Sequence, residues 1–217
     1  MHDQLNQSRK ITFIDIGANI GYFSLLAASV RQPVVAIEPW KLHIEKFAHS
    51  IHINKFERNV TVLNNAVSNY RRSVLMNINV YDNLGGVRIV SETENMTTTK
   101  TITVKSILLN DISEFIQTAD VVLKLDVEGH ECLAMEKSED VFDKFNILMI
   151  TMEWFSLRKF KDLPGGACPD MKIQEMLKML TSRGFVPYNY NHQQIDPNSY
   201  KYWTYVDIYW KPKAVHL

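Results

Sequence analysis

This chain has no surplus of charge: Lys and Arg together number 24, and Asp and Glu together also number 24. With no net field to draw it to a polyanion, neither nucleic acid nor an anionic membrane surface is an expected partner, and any polar partner must be met by a local patch. Cysteine is scarce. Only Cys132 and Cys168 occur in 217 residues, too few for a disulfide framework, so they read as free buried thiols in a reduced, cytoplasmic setting. Long apolar runs are missing too, since nothing approaches the ~20 residues of a membrane span. Residues 1–10 carry neither a signal-like apolar core nor a transit-like amphipathic stretch, and the first strand begins near Ile11, which leaves open an anchor or domain upstream. The triplets Asn59-Val60-Thr61 and Asn95-Met96-Thr97 match a glycosylation pattern, but such matches arise often by chance and do not establish secretion.

What is present is apolar content of 46%, enough to bury one large core in one domain spanning residues 1–217. The organising stretch is Phe13-Ile14-Asp15-Ile16-Gly17-Ala18-Asn19-Ile20-Gly21-Tyr22, which reads as strand, glycine turn and helix. Gly17 and Gly21 permit a tight turn and close approach to a ligand at a helix N-terminus. The helix over 22–31 should bury Phe23, Leu26, Ala27 and Val30, and Pro33 stops it. Val34-Val35-Ala36-Ile37 is wholly apolar, as expected for a parallel strand covered on both faces, and Glu38 ends it.

Helical spacing of Trp40, Ile44, Phe47, Ala48 and Ile51 leads to a third strand over 59–64. Residues 72–104 then break the rhythm: alternation at Val74, Met76, Ile78 and Val80, a turn at Asn83-Leu84-Gly85-Gly86 and a return through Val87-Arg88-Ile89 predict an inserted hairpin, with a threonine-rich loop over 91–100. A short helix over 107–117 follows. Residues 121–127 and 147–152 are further buried strands, and Glu128-Gly129-His130-Glu131 leads from the first of these into a helix near Cys132. A long loop is expected over 154–170, then an amphipathic helix through Ile173, Met176, Leu177 and Leu180. Residues 185–190 and 202–210 read as two edge strands of a final antiparallel pair.

Asp15, Glu38, Asp126 and Glu153 all stand at strand ends, where open α/β sheets bind ligands. Glu38 is placed to take both hydroxyls of a ribose. An NAD-dependent oxidoreductase shares that topology, but its G-x-G-x-x-G turn is absent: Asn19 replaces the second glycine, and Asp15 would repel a diphosphate. A cationic nucleoside ligand such as S-adenosylmethionine suits the turn better.

Asp15-Ile16-Gly17-Ala18-Asn19-Ile20-Gly21, Glu38-Pro39, Asn65-Ala66-Val67-Ser68 and Lys124-Leu125-Asp126-Val127-Glu128-Gly129-His130-Glu131 together resemble the FkbM-type family of S-adenosylmethionine-dependent methyltransferases. The resemblance runs from about Ile11 through Glu153. It implies an α/β, Rossmann-like class I methyltransferase fold: a seven-stranded, mostly parallel sheet with a reversed last strand and helices on both faces. It implies S-adenosyl-L-methionine as cofactor and O-methylation of a hydroxyl on a sugar, glycolipid or small metabolite. Asp15, Gly17, Asn19 and Gly21 would line the methionine part, Glu38 the ribose, Asn65 and Ala66 the adenine, and Asp126 the sulfonium. Only ten residues precede the first strand, so the helices that commonly cap such pockets are missing, and a degenerate cofactor-binding domain acting as an interaction module is the competing reading.

Methyl transfer to an alcohol needs alignment and a proton acceptor. The candidates are Asp126, Glu128, His130 and Glu153; His130 titrates near neutrality, while Glu131 more simply favours a helix N-terminus. No metal is assigned, although Asp126 with Glu153 offers a way to chelate a divalent ion that activates the hydroxyl. Arg158, Lys159 and Lys161 offer recognition of an acidic substrate, and Trp154, Phe155, Tyr188, Tyr190, Tyr202 and Trp203 a sugar-stacking wall; solvated loop and core packing are the plainer readings.

Overall fold

Apolar strands that alternate with helical segments settle into a parallel sheet because each strand must cover both of its faces. The computed structural model describes residues 9–78, 86–90, 100–161 and 168–213. Val80, residues 83–85 of the expected turn, residues 91–99 with the Asn95 triplet, and Pro164-Gly165-Gly166 lie outside them. The first unit is β1 (Ile11–Ile16), α1 (Tyr22–Ser29), β2 (Val34–Ile37), α2 (Lys41–Asn54) and β3 (Val60–Leu63). The short β4 (Ala66–Val67), β5 (Ser73–Asn77), β6 (Arg88–Val90) and β7 (Thr101–Ile107) follow. A 3₁₀ turn leads to β8 (Asp120–Leu125), then α3 (Glu131–Met135), α4 (Glu139–Lys144), β9 (Asn146–Glu153), α5 (Phe155–Phe160), α6 (Asp170–Ser182), β10 (Phe185–Tyr188) and β11 (Asp207–Pro212).

Seven strands form the main sheet in the order β10-β11-β9-β8-β1-β2-β3. Neighbours from β3 through β9 are parallel, and β11 runs antiparallel to both β9 and β10. The last strand is therefore reversed, as expected, but it is interior; of the final pair, β10 alone is an edge strand. Period-two alternation divides the core: Val34 and Ala36 of β2 pack with Ala28, Phe47 and Ile51 on one face, while Val35 and Ile37 join Ile14, Ile16 and Leu123 on the other. Helices cover both faces. Burying a side chain such as that of Phe47 contributes about 2 kcal/mol.

Four expectations fail on packing. α1 turns Phe23, Leu26 and Val30 outward and buries Ser24 and Ala28 instead, because the Ser24 hydroxyl donates to Asp15 at 2.7 Å and fixes the helix rotation. The insertion is more than a hairpin: β7 pairs with both β4 and β5, giving a second sheet β4-β7-β5-β6. The expected loop after β9 opens with the helix α5, whose Ser156 and Leu157 are buried. Cys132 and Cys168 are not free thiols, since they form a disulfide between the start of α3 and the approach to α6, where the fold brings their Cα atoms to 5.7 Å. That removes the free-thiol basis for a reduced setting. No described helix is long and apolar enough to cross a membrane.

Candidate functional site

Strand register builds the site. Ile16 pairs with Ile37 on one side and Leu125 on the other, and Leu125 pairs with Met152. The residues that follow, Gly17, Glu38, Asp126 and Glu153, therefore stand in one row at the carboxyl edge of the sheet. Asp207 is opposite Glu153 and extends the row. A cleft of about 210 Å³ opens above it.

Gly17, Asn19, Glu38, Asn65, Ala66, Asp126 and Glu128 line this cleft together, whereas Asp15, Gly21, His130 and Glu153 are not among its lining residues. The two glycines are fixed by packing. A Cβ on Gly17 would lie 1.8 Å from the Asp126 carbonyl oxygen, and one on Gly21 would lie 2.1 Å from the Phe47 ring. Both have positive φ, as does Asn19 between them, which suits glycine and is tolerated by asparagine.

Asp15 is fully buried under the turn. Its carboxylate accepts from Ser24 and sits 3.3 Å from the Lys124 ammonium, which also lies 3.3 Å from Asp126 and donates to the Gly17 carbonyl at 3.2 Å. Burial works against the charge on Lys124, but Asp15 and Asp126 outweigh it and hold its pKa above the ordinary lysine value. Asp15 is thus neutralised locally, so repulsion of a diphosphate does not follow from it. The signal for Lys124 was its place two residues before Asp126.

Glu38 is 4% exposed and held from three sides. Its Oε2 accepts from the Asn19 amide at 2.8 Å, and its Oε1 accepts from the Trp40 amide at 2.9 Å and lies 3.3 Å from His43 Nδ1. Asn64 donates to the Glu38 and Pro39 carbonyls, and Asn65 to the Lys105 carbonyl of β7. The second sheet adds Met76, Val87 and Ile89 to the cleft wall, a contribution that local sequence patterns did not signal.

The other end is acidic. Glu128 has φ 56 and Gly129 φ 90, a reversal that leaves Glu128 at the cleft and sends His130 inward. His130 is 5% exposed, with Nε2 3.0 Å from the Ser68 hydroxyl. Burial and then Arg72 lower its pKa to about 4. Glu131 is fully buried, and its Oε1 accepts from the amides of Val127 and Gly129, clamping the turn. Burial pushes its pKa up to about 8. Burial, reinforced by Asp126, Glu131 and Glu128, pushes Glu153 up to about 9, and burial also raises Glu128. The Ser156 hydroxyl lies 2.9 Å from both Glu128 Oε2 and Glu153 Oε1. Sequence reasoning missed Ser156 because α5 was read as loop.

The basic cluster is largely committed elsewhere: Arg158 donates to the Trp203 carbonyl, Lys161 pairs with Asp170, and Lys159 lies over the Phe155 and Phe160 rings. Of the aromatics, Trp154 and Trp203 are core residues, and none of the six lines the cleft.

The model of the FkbM methyltransferase domain matches residues 15–187, a span that contains every one of these acids except Asp207. The chain belongs to the FkbM methyltransferase family. Among solved structures, an FkbM methyltransferase from Methylobacillus flagellatus superposes with a TM-score of 0.55 at 14% identity, covering 93% of this chain and 43% of that one. The chain thus spans less than half the length of that FkbM protein, and the likeness shows a shared fold. A Clostridium thermocellum protein described as an rRNA methylase gives a TM-score of 0.49 at 12% identity, over 97% and 92% of the two chains. A Streptococcus mutans protein described as a methyltransferase, in complex with SAH, also gives 0.49, at 10% identity over 97% and 94%. No curated protein is similar enough in sequence to count as a match.

Proposed function

We propose that this FkbM domain is an S-adenosylmethionine-dependent O-methyltransferase acting on a hydroxyl of a sugar, glycolipid or small metabolite. The observation that carries the reading is the two-ended cleft, with a preorganised acid and an apolar wall at one end and carboxylates at the other. The donor set suits a nucleoside with a cationic tail. Glu38, already oriented by Asn19, Trp40 and His43, keeps a lone pair on Oε2 for a ribose hydroxyl. Asn65 and Ala66, with Met76, Val87 and Ile89, form a slot for the adenine. Gly17, Asn19 and Asp126 face the methionine end, with Lys124 limiting the negative charge beneath them.

When bound, S-adenosylmethionine supplies an electrophilic methyl group on a sulfonium. The chain's own task is to hold an acceptor oxygen in line with that carbon and to receive its proton. Glu128 and Asp126 are the groups at the cleft for this, and Ser156 orients Glu128 from behind. His130, buried and away from the lining, has a packing role in this scheme.

Calorimetry with S-adenosylhomocysteine and with NAD tests the cofactor: saturable binding of the first and none of the second is expected, and the reverse overturns the proposal. Labelled S-adenosylmethionine with sugar, lipid and phenolic acceptors then identifies the substrate class; label transferred to nitrogen or carbon instead of oxygen overturns the O-methyl assignment.

A further inference from the structure

Asp126, Glu128 and Glu153 come from three different places in the chain, the end of β8, the turn after it and the end of β9. Each can offer one carboxylate oxygen such that all three lie within 4.8 Å of one another. Among the described residues, these carboxyl groups meet the following neighbours. Lys124 touches Asp126 from below at 3.3 Å. Arg88 and Lys159 favour the charged form of Glu128. Ser156 is within 2.9 Å of both Glu128 and Glu153, yet its single proton can serve one of them at a time.

An independent observation lies just behind the trio. Glu131 is fully buried, and while its Oε1 holds two backbone amides, its Oε2 has no hydrogen-bond partner. Glu131 lies near enough for its charge to act on Glu153 and for that of Asp126 to act on it. Glu153 Oε2 is likewise buried without a partner. A protein does not ordinarily leave carboxylate oxygens dry and unmatched in one corner, because each costs on the order of 1–3 kcal/mol. A cation among them offsets that cost. Three oxygen donors with no sulfur or imidazole suit a hard divalent ion, and three ligands leave coordination positions for water or a substrate oxygen.

We infer that Asp126, Glu128 and Glu153 form a binding site for a hard divalent cation of the Mg²⁺ or Mn²⁺ class, at which the acceptor hydroxyl is held. The second half of that statement rests on the methyltransferase reading; the metal site does not. A cation there lowers the pKa of the bound hydroxyl and fixes its oxygen beside the methyl donor; the proton passes to the second carboxylate oxygen of Asp126 or Glu128, which the ion leaves free.

The test uses Mn²⁺ alone, titrated into the full chain and followed by calorimetry and by the loss of the free-ion paramagnetic resonance signal. One ion per chain is expected, with a dissociation constant of about 1 mM or tighter. Glu153→Gln should weaken binding at least about tenfold while leaving S-adenosylhomocysteine affinity and thermal unfolding near wild type; if that variant does not fold, Glu128→Gln at the cleft surface replaces it. Absence of saturable Mn²⁺ binding in the wild type, or equal binding by wild type and variant, overturns the site. S-adenosylhomocysteine titrated in parallel separates the two readings: nucleoside binding without Mn²⁺ binding defeats the metal inference alone, whereas Mn²⁺ binding without nucleoside binding defeats the methyltransferase reading and leaves the metal site standing.

Discussion

The two ends of the cleft treat their acids in opposite ways. At the β2 end, both oxygens of Glu38 have protein partners, and the carboxylate is fixed by Asn19, Trp40 and His43 before any ligand arrives. At the β8–β9 end, Asp126, Glu128 and Glu153 crowd together, and Glu153 Oε2 and the Oε2 of nearby Glu131 are left unmatched. A carboxylate whose partners are built in is suited to recognition, since its geometry is settled beforehand. Carboxylates left in surplus are suited to chemistry, because a proton, a cation or a substrate can be exchanged among them.

The sharpest way to break that contrast is Glu38→Ala. Loss of a buried, charged hydrogen-bonding group should weaken S-adenosylhomocysteine binding about a hundredfold, or about 2.7 kcal/mol, as read by calorimetry; an unchanged dissociation constant would show that the β2 end is not the recognition end. The next effect concerns pH. The folded state holds the His130 pKa at about 4, below the ordinary value near 6.5, so the unfolded chain takes up the proton first as pH falls. The contribution of His130 to stability is therefore lost on acidification from about 6.5 toward 4, by about 2 kcal/mol at pH 5, while the raised Glu131 and Glu153 contribute in the opposite direction over the same window. His130→Gln should remove that loss, so that in urea unfolding the variant gains on wild type by about 1.5 kcal/mol between pH 6.5 and pH 5; a difference that does not change with pH would show that His130 does not titrate on unfolding. Smallest is Ser156→Ala, which should cost about 1 kcal/mol of stability and leave S-adenosylhomocysteine affinity within about twofold of wild type. A drop comparable to that of Glu38→Ala would mean that the two ends act as one.

The parallel strands were readable because their burial on both faces leaves an uninterrupted apolar run that stops at an acid, as Val34 to Ile37 stops at Glu38. That same regularity placed Gly17, Glu38 and Asp126 in one row. Ser24, Lys124 and Ser156 were harder to see. Each acts through a partner distant in sequence, Asp15 for the first two and Glu128 for the third, and no local period marks such pairs. The outward turn of Phe23, Leu26 and Val30 has the same origin: an interior Ser24–Asp15 bond outranked the apolar pattern of the helix. Met76, Val87 and Ile89 reach the cleft only because β4 joins the second sheet, and the disulfide exists only because α3 and α6 meet.

The position of β11 has a consequence for how the chain is made. In the main sheet β10 pairs only with β11, and β11 is its sole link to β9. During synthesis the β9 edge, ending in Glu153 and Trp154, must therefore wait for residues 207–212 with its backbone amides and carbonyls unpaired. An open edge of that kind can recruit a strand from another molecule, and the wait ends only when a segment more than fifty residues downstream threads between β9 and β10. Nascent-chain aggregation, more than equilibrium stability, should then be the property most sensitive to changes in β11.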